Sequence, residues 1–299
     1  GMSIIEMSHR SPEWDDVNDT AIRLTRKLLG LDDSYHVIFV GGGASTQFAH
    51  IPMNFLKPGE VASYVDTGTW STKAIKEAHN LGNMHLAGSS KDAKYMYIPK
   101  TESLDYPDNS AYLHITSNNT IKGTQFHEFP DTGNVPLICD MSSDIFSRQM
   151  DYSKFSMIYA GAQKNLGPSG ATMIIIKDEM LEQIQERVPT MIIYRTHTSK
   201  KSLFNTPPVF PIYVSKLVLE YIDGKGGLKA IEAINREKKD TIYSLIDQYP
   251  DYFYGPVEED SRSWMNIPFR LPTEELEAKF VMEAKSAGFV GLKGHRSVG

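Results

Sequence analysis

Short runs of consecutive apolar residues, each closed by small or polar ones, recur along the first two thirds of the chain: His36 to Val40, Val61 to Val65, Ala111 to Ile115, Val135 to Asp140, Phe155 to Tyr159 and Ala171 to Lys177. Runs of this length bounded by turn residues predict buried strands. Helical patterns lie between them. Ser11 followed by Pro12 and Glu13 reads as an N-cap with proline in the first turn, opening a helix to about Leu29 with Gly30 past its end. Another amphipathic helix follows Trp70, and residues 178–188, D-E-M-L-E-Q-I-Q-E-R-V, predict a charged helix with a solvated face. Residues 194–206 are polar and loop-like, closing on Pro207-Pro208. Two helical stretches flank the G-K-G-G break, which places a boundary near Gly224: a large domain over 1–224 and a smaller one over 225–299. In the latter, M-N-I-P-F-R-L reads as a strand and Thr273 to Ala287 as a helix.

Composition narrows the classes. The 299 residues are 40% apolar and 23% charged, with a net charge of -6, ordinary for a globular protein with a large core. No basic run suits nucleic acid, no apolar segment reaches the ~18 residues of a membrane span, and Gly1 to Arg10 is not a secretory signal. One cysteine, Cys139, fits a reducing cytoplasm and, inside V-P-L-I-C-D, reads as a small buried hydrophobe.

The candidate chemistry sits at strand ends. Asp140 follows L-I-C, and Lys164 follows M-I-Y-A-G-A-Q, with a Gly-Pro-Ser-Gly turn beyond it. Ligands of open α/β sheets gather outside the carboxyl ends of strands. A lysine there can form a Schiff base with an aldehyde cofactor, and a carboxylate can keep the pyridinium nitrogen of pyridoxal 5'-phosphate (PLP) protonated. Gly41-Gly42-Gly43-Ala44-Ser45-Thr46, between a strand and a helix, offers backbone N–H groups to a phosphate. It matches neither the triphosphate nor the dinucleotide loop pattern. Trp70, directly before its helix, is either core packing or an aromatic stacked on a pyridine ring. Thr120 lies in a polar cluster, T-S-N-N-T, that ends a strand on the presumed cofactor side.

A-G-A-Q-K-N-L-G-P-S-G, together with C-D-M-S-S-D-I, S-N-N-T-I-K-G-T-Q-F and M-S-H-R-S, in that company and across essentially the whole chain, resembles the phosphoserine aminotransferase family. The resemblance implies PLP-dependent transferase fold type I, α/β, with a large mixed-sheet domain and a partial small α+β domain. It implies a cytoplasmic homodimer exchanging an amino group between glutamate and 3-phosphohydroxypyruvate in serine biosynthesis. Lys164 would hold PLP and serve as general base; Asp140 would bind the ring nitrogen, Trp70 the ring face and Thr120 the phenolic oxygen. Ala44, Ser45, Ser142 and Gln163 would serve the cofactor phosphate, joined across a dimer interface by Asn205 and Thr206. His9, Arg10, His295 and Arg296 would take the substrate phosphate. In that family further residues precede this stretch, and an arginine a few positions beyond Gly299 grips the substrate carboxylate; no residue here is given that role. A class V enzyme with another amino-acid substrate and a PLP-binding relative without turnover are the alternatives. A desulfurase would need a mobile cysteine, which Cys139 is not expected to be.

Overall fold

The computed structural model describes residues 3–294. It begins with α1 (Pro12–Leu29), where the Ser11 hydroxyl accepts from the Trp14 amide at 3.3 Å and Gly30, at φ 64°, returns its N–H to the carbonyls of Arg26 and Lys27. Both ends are thus closed as the sequence predicts. There follow β1 (Tyr35–Gly41), α2 (Ala44–Phe55), β2 (Val61–Asp66), α3 (Thr69–Leu81), β3 (Asn83–Ser89), β4 (Leu113–Thr116) and a two-residue hairpin, β5 (Asn118–Asn119) with β6 (Thr124–Gln125). Then come β7 (Leu137–Asp140), β8 (Met157–Gly161), β9 (Ala171–Lys177), α4 (Asp178–Glu182), α5 (Tyr194–Thr198), α6 (Val209–Gly224), α7 (Leu228–Gln248) and α8 (Glu274–Ser286).

Seven strands form one mixed sheet in the order β1-β9-β8-β7-β4-β2-β3. β3, β2, β4, β7 and β8 run parallel, while β9 is antiparallel to both β8 and β1. Because strand side chains alternate between faces, the apolar runs supply two cores at once. Val37, Phe39, Leu137, Cys139, Ile158 and Met173 meet α1 and α6 on one face. Ile38, Tyr64, Ile138, Tyr159 and Ile174 meet α2 and α3 on the other. Cys139 is fully buried, and burial pushes its thiol well above its usual range, as expected of a residue that packs rather than reacts.

Four local expectations are corrected. The helix over 178–188 stops at Glu182: α4 is a short cap on β9 that buries Met180 and Leu181 while Asp178, Glu179 and Glu182 keep the expected solvated face. Residues 194–206 are not all loop: Tyr194–Thr198 is helical because Tyr194 and His197 bury their rings. M-N-I-P-F-R-L forms no strand beyond a single bridge, Tyr254 to Arg270, and Pro268 in its midst removes a donor. Trp70 lies inside the first turn of α3, not ahead of it. β3, with its exposed edge and broken apolar pattern, is an element the sequence pattern does not reveal. No helix among the described residues is long and apolar enough to cross a membrane.

Candidate active site

Parallel pairing of β7 with β8, in register Asp140 to Tyr159, brings two carboxyl ends side by side. Asp140 is the last residue of β7. The chain beyond β8 turns at once, Gly167 N–H bonding back to the Ala162 carbonyl at 2.8 Å, and Lys164 is carried in that turn. Asn165 pins the turn from its other side by donating to the Ile145 carbonyl at 3.0 Å.

Asp140 is buried, and its Oδ1 accepts from the Ser142 amide at 2.9 Å and the Ser142 hydroxyl at 2.6 Å. Ser142 Oγ in turn accepts from the Gly161 amide at 3.0 Å, tying β7 to the turn that carries the lysine. Burial raises the Asp140 pKa; the Ser142 donors and the positive charge of Lys164 oppose it. Burial lowers that of Lys164, against the opposing charge of Asp140. Each group makes the other's charged form cheaper, and a buried amine so placed gives up its proton more readily than a surface lysine.

The Lys164 amine donates to Thr120 Oγ1 at 2.5 Å and stands 5.4 Å from the Trp70 ring centroid. Trp70 is held by the start of α3, where the Ser71 and Thr72 hydroxyls donate to the buried Asp66 carboxylate at 3.0 and 2.9 Å. The structure therefore brings Lys164, Asp140, Ser142, Thr120 and Trp70 into one cluster. Trp70 Nε1 is buried without a hydrogen-bond partner, as is His9 Nε2. An unmet buried donor costs about 1–3 kcal/mol, which a ligand acceptor would recover.

Gly41 of β1 pairs with Ala171 of β9, and Gly161 of β8 with Thr172, so the N-terminus of α2 opens on the same sheet edge as Lys164. Two strand spacings, about 10 Å, separate β1 from β8. Gly43 caps α2 without a side chain and the first turn holds no acid, so the amides of Ala44 and Ser45 end a positive helix terminus. Gln163, exposed, adjoins the lysine in its turn.

Among the described residues the side chains of Asn205 and Thr206 make no hydrogen bond to this cluster. Both are exposed, and they line a cavity of about 380 Å³ with Phe39, His50, Met191 and Tyr194. Arg10 is exposed, and among the described residues neither it nor His9 is hydrogen-bonded to the lysine cluster. His295 and Arg296 lie outside the described residues. Sequence reasoning passed over Ser143, Asn118 and Asp66, which buttress the cluster; only the polar richness of S-N-N-T and M-S-S-D hinted at the first two.

The donor set fits PLP: a buried carboxylate and a lysine at adjacent strand ends, an aromatic beside the amine with an unmet donor, a threonine hydroxyl, and an uncapped helix terminus along the same edge. Comparison with known proteins agrees. The family model described as aminotransferase class-V matches residues 2–298. The phosphoserine aminotransferase of Niallia circulans is 53% identical over 299 residues, all of this chain and 83% of that protein. That of Desulfatibacillum aliphaticivorans is 55% identical over 301 residues, all of this chain and 82% of it. Among solved structures, the phosphoserine aminotransferase from Bacillus circulans subsp. alkalophilus superposes with a TM-score of 0.97 at 53% identity, covering all of this chain and 83% of that one. PLP-bound phosphoserine aminotransferase from Trichomonas vaginalis does so with a TM-score of 0.92 at 36% identity, covering 100% and 85%.

Proposed function

Since the chain belongs to the aminotransferase class-V family, we propose that its cluster of Asp140, Lys164, Thr120 and Trp70 performs the exchange of an amino group between glutamate and 3-phosphohydroxypyruvate, giving phosphoserine and 2-oxoglutarate. The enzyme is a PLP-dependent aminotransferase of serine biosynthesis. The observation that carries the assignment of the site is the pairing of a buried carboxylate with a half-buried lysine of lowered pKa at neighbouring strand ends.

Bound PLP supplies the electron sink for the carbanion that forms when the substrate loses its Cα proton. Lys164 would anchor the cofactor and, once released, would move the proton between the substrate's Cα and the cofactor's C4′ carbon, a task for which burial has already lowered its proton affinity. Asp140 keeps a proton on the ring nitrogen, and its two bonds from Ser142 hold the carboxylate in place for that. Thr120 offers its hydroxyl at the phenolic oxygen, Trp70 its ring face, and Ala44, Ser45 and Gln163 donors to the cofactor phosphate; Ser142, expected among these, instead spends both its amide and its hydroxyl proton on Asp140. Asn205 and Thr206, exposed and without a hydrogen bond to the lysine cluster, suit donation to a neighbouring copy, so the reading includes a homodimer with shared sites. His9, with its unmet Nε2, Arg10, His295 and Arg296 are assigned to the substrate phosphate. A cytoplasmic location and the division into domains over 1–224 and 225–299 belong to the same reading.

The test has two arms. PLP-loaded protein is reduced with borohydride and mapped by peptide mass, which is expected to place the cofactor on Lys164; a different lysine would sink the site. Turnover of phosphoserine with 2-oxoglutarate is then measured against other amino acids. Lys164→Ala is expected to lose at least about 10²- to 10⁴-fold in rate, the usual contribution of a general base. A preference for an unphosphorylated amino acid would overturn the substrate assignment alone.

A further inference from the structure

The hydroxyl that receives the Lys164 amine is itself held from the far end of the chain. Thr120 Oγ1 donates onward to Ser143 Oγ at 3.2 Å. Ser143 accepts a second bond from Asn118 Nδ2 at 2.8 Å and gives its own proton to the Asn118 carbonyl at 3.0 Å. The other Asn118 Nδ2 proton goes to Asn266 Oδ1 at 2.8 Å, and Asn118 Oδ1 accepts from the Ser263 hydroxyl at 2.5 Å, 145 residues along the chain. Ser263 Oγ then accepts from the amides of Met265 and Asn266, both at 3.0 Å. Each side-chain proton of Thr120, Ser143, Asn118 and Ser263 has an acceptor within the relay. Asn118, Ser143 and Ser263 are all buried, so breaking any link leaves a polar group without water to replace its partner.

The backbone makes the same connection. Thr120 stands in the turn of the β5–β6 hairpin, and the Ser263 amide donates to the Gly123 carbonyl in that turn at 2.8 Å. Gly123 has φ 73°, and a Cβ there would meet Pro268 Cδ at 2.2 Å and the Asn266 carbonyl at 2.8 Å. The hairpin and the 263–268 segment are therefore in direct apposition, and the segment lies between α7 and α8.

We propose that Asn118 is a positioning residue for the Lys164 amine, acting through Ser143 and Thr120 and anchored by Ser263 and Asn266, so that the segment between α7 and α8 fixes where the lysine stands. The proposal rests on Lys164 being the cofactor lysine. Asn118 reaches the amine only through Ser143 and Thr120; its effect is to hold the acceptor that the amine bonds to. Asp140 is the charged neighbour of that amine and is left in place throughout.

The experiment uses the full chain free of PLP. Acetylation of Lys164 by acetic anhydride is followed by peptide mass across a pH series, with the other lysines as internal standard. Asn118→Ala and Ser263→Ala are each expected to raise Lys164 labelling about tenfold, within the range of coupling between partners in one hydrogen-bond network, without altering other lysines. In a Thr120→Val background neither should add anything further. Tyr243→Phe, which deletes the bond to the Ser263 carbonyl but spares the side-chain relay, is expected to lower the Tm and leave labelling unchanged. Should Asn118→Ala not fold, Ser143→Ala and Ser263→Ala read out the same relay. Unchanged labelling in folded variants, or an equal increment with and without Thr120, would overturn the proposal. Borohydride fixation of PLP at Lys164 in the parent chain separates that failure from a failure of the site itself.

Discussion

Asp140 meets two opposed demands at the scale of one residue. To keep a proton on a ring nitrogen it must be ionised, yet burial raises its pKa from the ordinary 3.8. A carboxyl whose folded pKa is raised contributes stability that is fully present below pH 3.8 and is lost as pH rises through the folded value. At neutral pH in the absence of PLP, the ionised side chain therefore costs the fold free energy, which a cation at the ring nitrogen would offset. Asn at this position keeps the shape and still accepts from Ser142 through Oδ1. Asp140→Asn is accordingly expected to raise the Tm of the PLP-free chain at pH 7, while turnover of the loaded enzyme falls by orders of magnitude. The Tm gain should shrink as the pH is taken down toward 4. A variant that is less stable at pH 7 and equally active would show that Asp140 serves packing and not the ring nitrogen.

At the scale of elements, the glycine turn into α2 shows how a strand end becomes an anion cradle. Gly42 has φ 108°, and a Cβ added there would meet Thr46 Cγ2 at 2.7 Å; Thr46 is itself committed to the Gly43 carbonyl at 2.8 Å. Gly42→Ala is expected to cost about 1–3 kcal/mol in stability and to weaken PLP binding, checked by thermal unfolding and by fluorescence titration with PLP; unimpaired binding would place the cofactor phosphate away from Ala44 and Ser45. The strands that build this edge were legible in the sequence because two-sided burial leaves continuous apolar runs, and α1 because Ser11, Pro12 and Gly30 punctuate it. Asp140, Lys164 and Trp70 were legible as strand-end chemistry, and their roles came from the resemblance of the motifs around them. What stayed hidden has a physical reason. β3 is half exposed and carries no clean period, α5 is too short to show one, and Asn118 takes its meaning from Ser263 and Asn266, which no local pattern joins to it.

At the scale of the whole molecule, the proposed sharing of sites between two chains turns on Asn205 and Thr206. They are exposed, they line a cavity with β1 and α5 residues, and among the described residues their side chains make no bond to the lysine cluster. If they donate to the cofactor phosphate of a neighbouring copy, lesions at Lys164 and at Asn205 and Thr206 should complement one another. A Lys164→Ala chain lacks the lysine but offers intact donors; an Asn205→Ala/Thr206→Ala chain keeps the lysine but offers none. In a hybrid dimer one site combines the second chain's Lys164 with the first chain's donors and is whole, while the other carries both lesions. Mixing the two inactive parents under conditions that exchange subunits is therefore expected to restore up to about half of the unsubstituted enzyme's activity per hybrid dimer, with PLP fixed by borohydride on the Asn205→Ala/Thr206→Ala chain only. Each lesion removes charge-assisted or covalent anchoring of a dianionic group, worth about 1.5–3 kcal/mol for each hydrogen bond to a charged group, so the parents alone should bind PLP at least about tenfold more weakly. Activity that stays at the parental level after verified exchange would mean that each chain completes its own site and that Asn205 and Thr206 serve the 380 Å³ cavity they line.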